Sequence, residues 1–206
     1  MYNLGPKLDG QSIAAGSNLL ITGPPLSGKR QLALDILKQG FEDGEGGIVI
    51  STKDSGDRIV EEYTRTGDSL DNVPLGIVDC VTKHQGIGTT TETATRKFAS
   101  SPHDMTGIGI KLSEILEHFY GNQGIHRNRV MLHSLSTLII YSNIQTVFRF
   151  LHVFTGRTQS ANALGIFVME STAHDQQTKN MLTQLFDGVI ETSQETPQVT
   201  LRSSTA

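Results

Sequence analysis

The sequence predicts an α/β fold, with a mainly parallel central sheet and helices on both of its faces. Short apolar runs typical of buried strands alternate with stretches whose apolar residues recur at helical spacing, and this alternation is typical of parallel sheets. A glycine-rich turn joins the first such run to the first helical stretch. Because 206 residues are enough for one ordinary core, we expect a single domain over residues 1–206.

The first strand and the first helix are the clearest elements. Residues 19–21 are apolar and are followed by Thr22, as expected for a buried strand. From residue 32 onwards apolar side chains recur at helical spacing, which predicts a helix that Gly40 can end. Farther along, apolar stripes at 112–120 and 144–154 predict two more helices.

The turn between the first strand and helix has the spacing of a phosphate-binding loop, G-x-x-x-x-G-K-[S/T]. In such a loop, backbone N–H groups at a helix N-terminus bind phosphate, and the lysine reaches the outer phosphates. Arg30 stands at the last position, where a serine or threonine hydroxyl normally ligates Mg²⁺. We therefore expect nucleotide, ATP or ADP, at the loop residues Gly23, Pro24, Pro25, Leu26, Ser27, Gly28, Lys29 and Arg30.

Residues 129–138 resemble the Walker B strand of the RecA superfamily, especially its KaiC-like archaeal and bacterial branch. In that branch the strand ends in Asp-Ser-Leu-Ser/Thr, whereas His133 takes the aspartate position here. A neutral imidazole is a poor ligand for a hard cation that prefers oxygen. The same branch has two glutamates after its second strand. Here the matching strand, residues 48–52, is followed by Lys53 and Asp54.

The resemblance covers most of the chain and implies a RecA-like fold in a degenerate archaeal member. Arg30, Lys53 and His133 lie in three separate motifs, and each replaces a metal ligand or a catalytic carboxylate. The resemblance thus implies impaired or absent hydrolysis, with no metal site. The other matching segments follow in the family's order: a shortened lead-in at 4–18, a helix at 55–67, and strands at 75–80, 164–169 and 186–190.

Two interpretations of Arg30 stay open. It could help to replace the metal, so that nucleotide binds without Mg²⁺, or it could pair with Asp54 or Glu170 and fill the pocket. Three functions also stay open: a nucleotide-binding regulator or assembly module, a slow ATPase with Asp54 as its catalytic base, and a scaffold that binds no nucleotide. Loss of both metal ligands disfavours the ATPase, and the lysine at position 29 disfavours the scaffold.

Composition argues against several classes of function. A net charge of −4 disfavours a nucleic-acid binder, and segments 134–143 and 170–179 lack the basic stripe and stacking platforms that DNA would need. Cys80 is the single cysteine and is expected in the core. The seven histidines show no metal-ligand spacing. We expect a cytoplasmic protein without a membrane segment, because no apolar run is long enough to cross a bilayer.

Residues 82–109 are rich in threonine and glycine and predict a long loop. This loop could be a lid, a subunit or partner contact, or a solvated insertion with one helical turn. The stripe at 144–154 could also meet a neighbouring subunit, where Arg149 and Arg157 could act in trans or simply face solvent. We expect a protein partner or a homo-oligomer.

Overall fold

The computed structural model describes residues 1–65, 69 and 73–193, together with the backbone of 198–201. The strands are β1 (Tyr2–Asn3), β2 (Ser12–Ile13), β3 (Asn18–Gly23), β4 (Gly46–Ser51), β5 (Leu75–Asp79), β6 (Arg96–Phe98), β7 (Asn128–Leu132), β8 (Leu164–Glu170), β9 (Gly188–Glu191) and β10 (Gln198–Leu201). The helices are α1 (Lys29–Glu42), α2 (Gly56–Thr64), α3 (Thr82–Gln85), α4 (Met105–Asn122), α5 (Leu135–Tyr141), α6 (Ile144–Ser160) and α7 (Gln176–Thr183), with a 3-10 turn at Pro6–Leu8.

The main sheet has eight strands in the order β10-β9-β3-β8-β7-β4-β5-β6. Seven of these strands run parallel, and β10 at one edge is antiparallel to β9. The short strands β1 and β2 form a separate antiparallel pair. The predicted α/β class and mainly parallel sheet are therefore confirmed.

Helices cover both faces of the sheet, which explains why its central strands are apolar on both sides. On one face, α1 and α2 pack against strand residues such as Leu19 and Ile21. On the other face, helices α4 to α7 pack against residues such as Leu20 and Phe167. Cys80 lies in this second core, as expected, and its burial raises the pKa of the thiol well above the usual value. The thiol is therefore a protonated packing group.

The strand order decides which loops meet. β8 lies between β3 and β7, and β4 lies beside β7. Because these four strands are parallel, their carboxyl ends reach one edge of the sheet, which we call the carboxyl edge. The loop after β3, Asp54 after β4, His133 after β7 and Glu170 at the end of β8 are therefore brought to that edge. Glu170 lies directly opposite Gly23 in the β3–β8 register.

The opposite edge, the amino edge, holds a buried network of charged side chains. Arg129 is fully buried, and its Nε lies 2.6 Å from Glu45 Oε2. Its Nη1 donates to the carbonyls of Ile36 and Asn3 at 2.6 and 2.7 Å, and its Nη2 lies 3.3 Å from Asp43 Oδ2. The network thus ties β7 to the end of α1 and to the start of the chain.

Gly40 has a different role from the one its sequence position predicts. We expected it to end the first helix, but α1 continues through it to Glu42. A Cβ at Gly40 would lie 2.6 Å from Arg129 Nε, closer than real contacts allow. The glycine therefore makes room for the buried arginine, and helix propensity yields to tertiary packing at this position.

The segment at 82–109 is not the long loop that the sequence predicts. It contains α3, the edge strand β6 and the start of α4, and its irregular residues form two shorter stretches, 86–95 and 99–104. β6 pairs in parallel with β5, so the segment completes the sheet. The other predicted strands and helices are present with shifted ends, and residues 66–67 of the predicted 55–67 helix lie outside the described residues.

Candidate functional site

The loop between β3 and α1 has the backbone of an anion-binding turn. Gly28, which precedes α1, has a left-handed φ of 79°, and the first turn of α1 has neither a side-chain cap nor an acidic residue. The positive end of a 14-residue helix is therefore not neutralised from within the helix. Ser27 Oγ lies 2.6 Å from Thr192 Oγ1, which fixes the loop to the residue after β9. Leu26 at the tip is fully exposed.

Lys29 folds back beneath this loop. Its Nζ donates to the carbonyl of Pro24 at 2.8 Å and lies 2.9 Å from Glu170 Oε2. The lysine side chain is 12 % exposed. An ammonium group has three N–H donors, so these two contacts leave donor capacity for another acceptor.

Arg30 pairs with two carboxylates. Its Nη1 lies 2.7 Å from Asp54 Oδ2, and its Nη2 pairs with Glu62. Its Nε is buried and has no hydrogen-bond partner among the described residues. The sequence suggested Asp54 or Glu170 as a partner of Arg30. In the structure Arg30 pairs with Asp54, whereas Glu170 pairs with Lys29. Glu62 was not identified from the sequence, because no motif or helical spacing relates it to the loop.

His133 is buried beside this pair, at 2 % exposure. Its Nε2 lies 3.8 Å from Asp54 Oδ2, which is too long for a hydrogen bond. Neither ring nitrogen has a hydrogen-bond partner among the described residues. Burial lowers the pKa of the His133 imidazole to about 3, and the nearby charge of Arg30 acts in the same direction. The ring is therefore neutral at physiological pH.

Asp54 and Lys53 occupy different environments although they are adjacent in sequence. Asp54 binds Arg30 through Oδ2, and its Oδ1 lies 3.7 Å from Arg58 Nε. Lys53 is exposed, but its charge lowers the pKa of the His133 imidazole, so it acts on the same neighbourhood. The carboxylate expected as a possible base is thus engaged by cations, which leaves it poorly placed to orient a water molecule.

A second hydrogen-bonded chain starts from Glu170. The backbone N–H of Glu170 donates to Ser136 Oγ at 2.9 Å, and Ser136 Oγ lies 2.8 Å from His174 Nε2. Because Ser136 already accepts from Glu170, its own hydrogen is available for His174. Burial lowers the pKa of the His174 imidazole, which favours the neutral ring that accepts this hydrogen. These hydrogen bonds, together with the Lys29–Glu170 ion pair, connect Lys29 to α5 and to the residues before α7.

A cavity of about 580 Å³ adjoins the start of the loop at Gly23 and Pro24. Its lining includes Thr22, whose buried Oγ1 has no hydrogen-bond partner among the described residues. Lys179 and Glu191 contribute charges of opposite sign to the wall. The loop therefore lies beside a space that mixes polar and apolar groups.

The residues at the carboxyl edge do not fit a Mg²⁺ site. The two positions that would carry oxygen ligands hold Arg30 and the neutral His133, and Asp54 pairs with Arg30. Across the described ranges no group of three or more histidine, cysteine, aspartate or glutamate side chains could hold a metal ion. None of the described helices combines the length and apolar character needed to cross a membrane.

Comparison with protein families gives a match over residues 16–192, to a family described as of unknown function, DUF7504. The chain belongs to the DUF7504 family. Among solved structures, this DUF7504 chain is similar to the KaiC-like protein PH0186 from the hyperthermophilic archaeon Pyrococcus horikoshii OT3, with a TM-score of 0.60 and 14 % identity. The similarity covers 94 % of this chain and 81 % of that chain, and it shows a RecA-like fold. No curated protein matches the sequence.

Proposed function

We propose that this DUF7504 chain binds ATP or ADP through the loop at residues 23–30, hydrolyses it slowly or not at all, and acts as a regulatory or assembly module. The observation that carries the proposal is the uncapped N-terminus of α1 behind a glycine-bearing loop, with Lys29 folded beneath it. Backbone N–H groups, a helix dipole and an ammonium group then converge on one small volume, which is the arrangement that binds phosphate.

Binding without Mg²⁺ is the second part of the proposal. The metal normally offsets the negative charge of the phosphates. Here Arg30 stands at the first helical turn, and its buried Nε–H has no acceptor among the described residues. A phosphate oxygen would supply that acceptor, and guanidinium groups suit phosphate geometry. Arginine would then take over part of the charge compensation that the metal supplies elsewhere.

The cavity beside Gly23 and Pro24 supports a nucleotide rather than a bare phosphate. Its volume of about 580 Å³ lies within the range of small-molecule sites. Lys179 and Glu191 offer a donor and an acceptor to a sugar and a base. We therefore expect ATP and ADP to bind more tightly than inorganic triphosphate.

Calorimetric titration of ATP, ADP and inorganic triphosphate, first with Mg²⁺ and then with EDTA, tests the proposal. Wild-type protein is expected to bind ATP or ADP under both conditions. Lys29→Ala removes the ammonium group and is expected to weaken binding by about tenfold or more, because charge-assisted contacts to phosphate contribute about 1.5 to 3 kcal/mol each. Lys83→Ala is the matched control, since Lys83 is an exposed lysine in α3, after β5, a strand that is not adjacent to β3.

A scaffold that binds no nucleotide is the competing function, and one observation favours it. Lys29 and Arg30 already have carboxylate partners in Glu170, Asp54 and Glu62. If neither ATP nor ADP produces heat with Mg²⁺ or with EDTA, the internal ion pairs have replaced the ligand and the scaffold is correct. Binding that requires Mg²⁺ would instead support the slow ATPase with Asp54 as base.

A further inference from the structure

A groove between α4 and α6 forms a continuous surface away from the loop. Both helices pack on the sheet, and the space between them forms three adjoining cavities of about 380, 640 and 830 Å³. The first two share Val153 and Arg157, and the last two share Leu116, Ser160 and Ala161. The groove therefore runs along most of the length of both helices.

Large apolar side chains are exposed on both walls of this groove. Ile110 on α4 is 53 % exposed and Val153 on α6 is 56 % exposed. Tyr120, near the end of α4, is 63 % exposed. Phe150 and Leu116 contribute further apolar surface at the base. Isolated exposed apolar side chains are ordinary, but a contiguous row inside a groove is typical of a docking surface.

Two arginines lie on the α6 wall of the groove. Arg149, Val153 and Arg157 follow at intervals of four residues, which places them in one row on the helix. Neither arginine forms an ion pair with any residue that the structure describes. Arg157 Nη1 donates to the carbonyl of Gly109 at 3.3 Å, and a Cβ at Gly109 would lie 3.0 Å from that nitrogen. The glycine thus allows Arg157 to reach across the groove.

The charged residues that line the first two cavities of the groove are all positive. Arg149 and Arg157 are the charged residues that line them, and the nearest acidic lining residue, Glu117, belongs to the third cavity. By contrast, Lys97 and Lys111, near the far side of α4, pair with Glu92 and Glu114. The groove therefore combines an apolar row with unneutralised cationic groups.

We propose that this groove binds an amphipathic helix of a partner protein, with its apolar face in the groove and its carboxylates beside Arg149 and Arg157. A helical occupant fits because both walls are helices, whose backbone groups are already paired and offer no strand edge to an extended peptide. α6 has 17 residues, which corresponds to a length of about 25 Å and to about four or five turns of a partner helix. The proposal does not depend on nucleotide binding.

The test uses a synthetic fluorescein-labelled helical peptide with a row of leucines flanked by glutamates, and a matched peptide in which every glutamate is lysine. Fluorescence anisotropy is expected to show saturable binding of the acidic peptide to the full chain. Binding of the lysine peptide is expected to be weaker by about tenfold, because like charges would then face the arginines. Added NaCl is expected to reduce the difference.

Substitutions in the groove test whether the peptide binds there. The double variant Arg149→Glu, Arg157→Glu is expected to bind the acidic peptide about tenfold more weakly and to bind the lysine peptide more tightly. Val153→Asp is expected to weaken the binding of both peptides. Arg65→Glu with Lys83→Glu is the control, since it reverses two exposed charges elsewhere. Circular dichroism and thermal melts confirm that each variant is folded.

Three outcomes would overturn the proposal. Equal affinity for the two peptides would show that charge does not select the partner. Unchanged binding in the folded Arg149→Glu, Arg157→Glu variant would place the peptide elsewhere. A wild-type dimer that Val153→Asp converts to monomer, and that the acidic peptide does not dissociate, would show that a second copy of this chain covers the groove.

Discussion

Arg129 at the amino edge and Arg30 at the carboxyl edge each pair with two carboxylates, yet their surroundings differ. Arg129 is fully buried, and its Nε, Nη1 and Nη2 all have partners within the chain. Arg30 is 30 % exposed, and its Nε has no partner among the described residues. Beside it, the two ring nitrogens of His133 also have no hydrogen-bond partner in the part of the chain that the structure describes.

The difference separates a structural network from a candidate binding site. A buried polar atom without a hydrogen-bond partner lowers the free energy of unfolding by about 1 to 3 kcal/mol. In a network that serves stability alone, we would therefore expect every buried polar atom to have a partner. At the amino edge, all three guanidinium nitrogens of Arg129 have partners. The carboxyl edge keeps hydrogen-bonding capacity next to the loop for which we propose phosphate binding, and we infer that a ligand uses it.

The largest expected effect concerns stability. Glu45→Gln leaves a buried guanidinium without its closest carboxylate and is expected to cost about 3 to 5 kcal/mol of unfolding free energy. Glu62→Gln is expected to cost about 1 kcal/mol or less, because Arg30 is partly exposed and keeps Asp54. Urea unfolding of both variants measures the difference. Equal losses would contradict the distinction between the two networks.

The pH dependence of stability reports on His133. Its pKa is about 3 in the folded chain and about 6.5 when unfolded, so the unfolded state takes up the proton first as pH falls. The stability that neutral His133 contributes is therefore complete above about pH 6.5 and declines towards pH 3, by roughly 2 kcal/mol at about pH 5.

His133→Asn is expected to remove that part of the pH dependence when unfolding free energies are measured from neutral to acidic pH. His152→Asn, at an exposed histidine on α6, is the control substitution. If His133→Asn and wild type lose stability in parallel, the imidazole takes up its proton over the same pH range in the folded and the unfolded protein, and this description of the site is wrong.

Glu170→Gln tests the competition between carboxylate and phosphate for Lys29. Removing the Glu170 charge frees the ammonium group, and we expect ATP and ADP to bind about fivefold more tightly, which corresponds to about 1 kcal/mol. Calorimetry measures this, with Glu42→Gln on the exposed end of α1 as control. Weaker binding in Glu170→Gln would show that the glutamate positions Lys29 for the ligand instead.

The smallest expected effect concerns Mg²⁺. Arg30→Thr with His133→Asp restores two oxygen ligands and releases Asp54 from its ion pair. The ratio of ATP affinities with Mg²⁺ and with EDTA is expected to rise by about threefold over wild type. A ratio that stays at the wild-type value would mean that the site has diverged beyond these two positions.

The sequence was sufficient for the fold wherever local pattern and tertiary packing agree. The apolar run of β3, the loop and α1 were predicted because their residues carry both the periodicity and the motif spacing. β6 was missed because three residues in a threonine-rich stretch give no alternation, and their pairing with β5 is a long-range property. Gly40 was misread because Arg129, which requires it, lies far away in sequence.

The sequence predicted the motif residues of the site and, as one alternative, the Arg30–Asp54 pair. Motif positions identified Arg30, Asp54 and His133, and the parallel sheet brings them together. Glu62, Ser136 and His174 were missed, since a hydrogen bond between distant elements has no signature in a single sequence. The burial that keeps His133 neutral also depends on neighbours from several elements.

Nuclear magnetic resonance of the arginine Nε–H groups compares the two networks in one experiment. ATP is added in EDTA, and the two signals are assigned with Arg30→Lys and Arg129→Lys. We predict a saturable shift of the Arg30 signal, since phosphate provides the acceptor that its Nε lacks, and no change at Arg129, whose Nε is bound to Glu45. An unmoved Arg30 signal at saturating ATP, or equal shifts at both arginines, would contradict metal-independent nucleotide binding at the carboxyl edge.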